Sequence, residues 1–226
     1  SLFVRARLRA GAGKLTIWGN DMKTQMRFQK ILALLTLIIS AITIVYSFGF
    51  FTGDLATLSK IVTTRSFLRD YTDAQQNAMI NTYYTALSIN DLLMWLGIIF
   101  LLVVVFIYIT ASQKRRNYYK TNYIAVILAA AYAAVFAIIG IAVISSVLVS
   151  LNASVTADIW QAYKEYNDSN GLNNYMHTPV MFYIGYVVFA IVLVDALAWV
   201  YNLIWKMKLM KGEKALLEAG LKKEVA

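Results

Sequence analysis

Four apolar runs of 20 residues or more limit what this chain can fold into more than any other feature of its sequence. The hydrocarbon core of a bilayer is about 30 Å thick and an α-helix rises about 1.5 Å per residue, so about 20 apolar residues cross it. The runs cover residues 31–52, 92–112, 123–151 and 180–205. Their combined apolar surface exceeds what a soluble domain of this length can bury, so the sequence predicts a polytopic membrane protein. The expected fold is all-α, a four-transmembrane-helix antiparallel bundle with helical extracytoplasmic segments. With 60% hydrophobic residues the chain is not disordered.

Basic residues near span ends are retained on the cytoplasmic side, and their distribution sets the orientation. Residues 1–30 carry seven, the connection 113–122 carries Lys114, Arg115, Arg116 and Lys120, and the tail 206–226 carries six. The external segments 53–91 and 152–179 carry only Lys60, Arg65, Arg69 and Lys164. Seventeen of the 21 basic residues therefore fall on one side, which predicts a multi-pass protein of the plasma membrane with both termini cytoplasmic. The net charge of +9 then reflects topology and attraction to anionic lipid headgroups at the inner face, and gives no reason to expect nucleic acid. Aromatic residues fit this placement: Phe48, Trp95 and Tyr183 mark the outer boundary, and Tyr118, Tyr201 and Trp205 the inner one.

The first run competes with a cleaved signal peptide, since Lys23, Arg27 and Lys30 precede it and Ser47 and Gly49 are small. Its length, and the bulky Phe48, Phe50 and Phe51 where a small-residue cleavage site belongs, favour an uncleaved anchor. Met22-Lys23-Thr24-Gln25-Met26-Arg27 reads as a natural start ahead of such an anchor, so residues 1–21 are expected to be processed or translated from upstream. Otherwise they form a basic arm with Arg5, Arg7 and Arg9 at lipid phosphates and Phe3, Val4 and Leu8 shallowly inserted.

In the first external segment, Thr72-Asp73-Ala74-Gln75 matches a capping box, so a helix over about 73–88 is expected, with a weaker candidate over 55–67. Asn90 and Asp91 suit the N-terminal cap of the second span. In the second external segment Val155, Ile159, Tyr163 and Tyr166 share a helical face, residues 167–171 supply turn formers, and Thr178-Pro179 opens the fourth span. These external helices are expected to pack on each other without disulfides, as the chain has no cysteine. Two glycosylation sequons, at Asn152 and Asn167, are short enough to occur by chance.

Lipid tails are as apolar as leucine, so spans associate through close approach and through polar side chains that find partners. Thr36, Ser40, Thr43 and Ser47 form one such stripe, and Ala125, Ala129, Ala133, Ala137 and Gly140 another. The second span has neither polar nor small residues between Ile98 and Ile107 and is expected to face lipid. Asp195 is the one acid or base inside a span. Counting inward from Lys206, Lys120 and Lys30 as cytoplasmic flanks puts it level with Tyr132 and Ser40, and Asn202 shares its face. Asp195, Tyr132, Ser40 and Asn202 are therefore the candidate intramembrane polar cluster. It either binds a proton or cation or fixes helix register through hydrogen bonds.

Other chemistry lacks its residues. His177 is the one histidine, thiol and Cys-zinc sites have no ligands, and Gly11-Ala12-Gly13-Lys14 lacks the spacing of a phosphate loop. No cofactor and no catalytic group are predicted. The tail from Lys206 is expected to continue the fourth span as a basic helix. The leading expectation is a non-enzymatic subunit or scaffold, in contact with the lipid bilayer and with other membrane subunits or copies of itself. The alternative is a small transporter or channel component using Asp195.

Overall fold

A computed structural model describes residues 2–50, 55–63, 68–112, 116–169 and 180–224 of the chain, and these are 96% helical with no strand. The helices are α1 (Leu2–Phe50), α2 (Ala56–Thr63), α3 (Asp73–Ser112), α4 (Arg116–Leu151), α5 (Ser154–Ser169) and α6 (Val180–Glu224). Four of them hold stretches long and apolar enough to cross a membrane: Asp21–Gly49, Asp73–Thr110, Asn122–Leu151 and Val180–Gly212. The chain is an all-α, multi-pass membrane protein built on four long helices, as its apolar runs predict.

Polar-inward, apolar-outward patterning distinguishes these helices from soluble ones. On α1, Thr36, Ser40, Thr43 and Ser47 are buried, whereas Ile31, Leu34, Leu35, Ile38, Ile42 and Val45 are exposed. On α4, Ala125, Ala129, Ala133 and Ala137 are buried together with Gly140, so both expected stripes are seams. The span of α3 is the least buried, at 28% against 39–44% for the others, in keeping with its expected lipid exposure. Its inner face is bulky rather than small, with Phe100, Val104 and Ile107 buried at spacings of four and three.

Several helices outrun the apolar runs. The capping box forms as expected: the Thr72 amide donates to Gln75 Oε1 at 3.1 Å and the Gln75 amide donates back to Thr72 Oγ1 at 3.4 Å. The helix it opens does not stop at Ser88, however, and α3 passes unbroken through Asn90 and Asp91 into the span. Those two residues cap nothing, because no glycine or proline interrupts the backbone between Asp73 and Trp95. α6 likewise runs into the tail as far as Glu224, through Gly212 and Gly220, each of which costs a helix only about 1 kcal/mol relative to alanine. α5 extends through Asn167 to Ser169. Residues 64–67, Gly171, His177, Thr178 and Pro179 lie outside the described residues, as do the side chains of residues 1–20, Val155 and Tyr166.

The chain forms two compact units, and every long helix contributes to both. One comprises Ser1–Leu37, Val103–Ala131 and Asp195–Ala226; the other comprises Ile38–Leu102 and Tyr132–Val194. In the first, Trp199 packs into a core of Leu32, Ala33, Ile107, Ala125, Val126, Ala129 and Ala130, where the alanines of α4 leave room for the indole. The second is held by rings. Phe100 stacks on Tyr132 with centroids 5.6 Å apart, and Phe136 meets Phe189 edge-on at 5.3 Å. Gly140 is required there, because the Phe189 ring occupies the space a side chain would take. The helices α2 and α5 bury Leu58, Ile61, Ile159 and Tyr163 in the same unit. The Tyr71 phenol is raised above its ordinary pKa, first by burial and then by the Asp158 and Asp70 carboxylates, which puts α5 beside the approach to α3.

Candidate functional site

Polar side chains recur at helical spacing on the inner faces of the first unit. α1 brings Gln25, Gln29 and Thr36, and α6 brings Asp195, Trp199, Asn202 and Lys206 at intervals of four, three and four. α3 adds Thr110 and α4 adds Asn122; every one of these side chains is buried.

Asn122 joins all four helices. Its Oδ1 accepts from Lys206 Nζ at 2.7 Å and from Gln29 Nε2, and its Nδ2 donates to Thr110 Oγ1 at 2.7 Å. The Thr110 hydroxyl in turn donates to the Ile107 carbonyl at 2.9 Å. A second layer of amides lies alongside. Gln25 Nε2 donates to Asn202 Oδ1 at 2.9 Å and to Gln29 Oε1 at 3.1 Å, and Asn202 Nδ2 reaches Gln29 Oε1 at 3.4 Å. Interhelical bonds of this kind are worth about 0.6–2 kcal/mol each inside a membrane, so the network fixes both pairing and register of the helices.

Asp195 sits apart from the amides, about two turns earlier on α6 than Asn202, and is 4% exposed. Its Oδ1 is 2.7 Å from Thr36 Oγ1, which also lies 2.9 Å from the Leu32 carbonyl and accepts from Trp199 Nε1 at 2.9 Å. Asp195 Oδ2 and Gln25 Oε1 are buried and have no hydrogen-bond partner among the described residues.

Of the residues predicted to cluster, Asp195 and Asn202 belong to this unit, while Tyr132 and Ser40 belong to the other. There the Tyr132 hydroxyl donates to the Leu96 carbonyl at 2.7 Å, and the Ser40 carbonyl accepts from Thr43 Oγ1 at 2.7 Å. The hydroxyl beside Asp195 is that of Thr36, one turn earlier on α1 than Ser40. The reason lies in the depth marker. Lys206, counted as the start of a solvated flank, is fully buried. Gln25, Gln29, Asn122 and Thr110 escape the sequence reading because they stand at or beyond the expected span ends. Two signals mark them: Gln25 and Gln29 continue the Thr36 stripe by whole turns, and Lys206 is one turn from Asn202.

The network brings an amine, amides, hydroxyls and one carboxyl, and among the described residues no group of three histidine, cysteine, aspartate or glutamate side chains assembles to hold a metal. It is equipped to hold helices together and to hold hydrogens. Comparison with protein-family models, with curated proteins and with solved structures gives no match to this chain.

Proposed function

We propose that the chain is a non-enzymatic subunit or scaffold of a membrane complex, set in the plasma membrane with both termini cytoplasmic. The observation that carries this reading is the pairing of buried polar groups with one another: Lys206, Asn122, Gln29, Gln25 and Asn202 form one connected set of hydrogen bonds, most of them between helices. Groups paired in this way stiffen a bundle and specify its register, which suits a part that presents fixed helix faces to neighbours. The orientation is supported by the basic residues, concentrated in residues 1–30, 113–122 and 206–226. Purification from its native membrane in mild detergent tests the proposal: a stoichiometric complex, with other subunits or with further copies of the chain, is expected. A lone chain that passes ions in liposomes overturns it.

A second reading, a small transporter or channel component centred on Asp195, is favoured by one observation, the buried Oδ2 that no described residue pairs.

A further inference from the structure

Thr36 Oγ1 sits among three polar contacts, and giving each its own hydrogen takes one more than Thr36 and Trp199 supply. Three polar atoms lie within bonding distance of Thr36 Oγ1: Trp199 Nε1 at 2.9 Å, the Leu32 carbonyl at 2.9 Å and Asp195 Oδ1 at 2.7 Å. A separate two-centre bond at each contact takes three hydrogens, whereas a three-centre bond shares one between two acceptors. The indole carries one and the hydroxyl carries one, whereas a carbonyl and an ionised carboxylate carry none. A hydroxyl oxygen donates one hydrogen and accepts two, so it accommodates all three contacts when the third hydrogen resides on the carboxyl. Trp199 and Asp195 then donate to Thr36, and Thr36 donates to Leu32. With the carboxyl ionised, the Leu32 carbonyl and the carboxylate share a single hydroxyl hydrogen.

We propose that Asp195 is a proton-binding site within the membrane-spanning part of the chain, holding its hydrogen between Oδ1 and Thr36 Oγ1. Release transfers that proton to a water admitted to the site, leaves a carboxylate, and swings the Thr36 hydroxyl from the Leu32 carbonyl to Asp195. A proton fits the site better than a metal cation. Hard cations take about six or more oxygen ligands, and here an indole N–H is directed at the very hydroxyl oxygen such an ion would use. Among the described residues of this unit, the core around Trp199 brings no other charge: α1, α3 and α4 contribute Leu32, Ala33, Ile107 and Ala129 to it. Among the described residues of the unit the other buried ionisable group is Lys206, eleven residues further along α6 and bonded to Asn122. Losing the proton therefore places an uncompensated negative charge in the packing between α1 and α6.

Infrared difference spectroscopy on the full chain in lipid nanodiscs, titrated from acid to alkaline, tests this proposal. The parent is expected to show a protonated-carboxyl stretch at neutral pH that is absent from Asp195→Asn. It should disappear on alkalinisation together with a change in the indole N–H signature of Trp199. Thr36→Val should shift that stretch and Thr36→Ser should restore it, a comparison that leaves the carboxyl intact even where Asp195→Asn does not assemble. The proposal is overturned by parent and Asp195→Asn spectra that coincide in the carboxylic-acid region, by a band indifferent to both Thr36 variants, or by its displacement on adding sodium at constant pH. Each of these readouts is independent of whether the chain co-purifies with partners, so the subunit reading and the proton site fail separately.

Discussion

Lys206 shows how a residue's chemistry depends on the face of the helix it occupies. A lysine that follows an apolar run is ordinarily a snorkelling flank, and composition alone assigns it there. Its spacing of one turn from Asn202 and three from Asp195 instead turns it inward, to donate to Asn122. Two substitutions separate the roles of the pair. Asn122→Leu removes three hydrogen bonds at once, to Lys206, Gln29 and Thr110, and a buried group left without its partner costs about 1–3 kcal/mol. Lys206→Met removes the amine together with the cost of burying it, while Asn122 keeps Gln29 and Thr110, so the loss should be smaller. Unfolding in mixed micelles is expected to rank Asn122→Leu well below Lys206→Met. The reverse order would show that the amine, not the amide, is the hub. Gly140→Ala acts through packing alone: its methyl meets the Phe189 ring, and overpacking of this kind costs about 1–3 kcal/mol by the same assay.

At the level of elements, periodicity made the faces legible and helix boundaries less so. Thr36, Ser40, Thr43 and Ser47 can be read as a seam because small polar side chains are enriched where membrane helices approach each other closely, and all four are covered. The join between the helix opened by Thr72 and the second span was not legible. Asn90 and Asp91 carry the side chains of a cap, but a cap needs a break in the backbone and α3 has none there. Substitutions along α1 make the seam measurable. α3 comes close to α1 at Gly97, where an added Cβ would stand 3.0 Å from Thr43 Oγ1 and 3.1 Å from Ile44 Cγ1. Thr43→Leu should therefore force the two helices apart and cost about 1–3 kcal/mol, while Val45→Leu on the exposed face should stay within about 0.5 kcal/mol of the parent. Equal unfolding midpoints for the two variants would remove the distinction between seam and lipid face. At the start of α3, Thr72→Ala should cost about 1 kcal/mol and speed hydrogen exchange at the Gln75 and Gln76 amides without touching the span.

At the level of the whole molecule, the number of crossings and the side on which each loop lies rest on different physics. The crossings follow from length and hydrophobicity, and the four helices answer to them directly. Sidedness follows from lysine and arginine counts, because a basic residue is harder to move across the membrane than an acidic one during insertion. Burying Lys206 takes one cation out of that count yet leaves the imbalance intact, since residues 1–30 and 113–122 alone carry more basic residues than 53–91 and 152–179 together. The chain has no cysteine, so single cysteines report sidedness against a silent background. Asn77→Cys, on the exposed face of α3 before the span, should react with an impermeant maleimide in intact cells. Lys208→Cys and Lys214→Cys, both at exposed positions on α6, should react only after the membrane is opened. Labelling in the opposite order would invert the protein in its membrane and put the Asn122–Lys206 network toward the outer medium. It would also change which compartment supplies the proton to Asp195, while leaving every helix pairing described above in place.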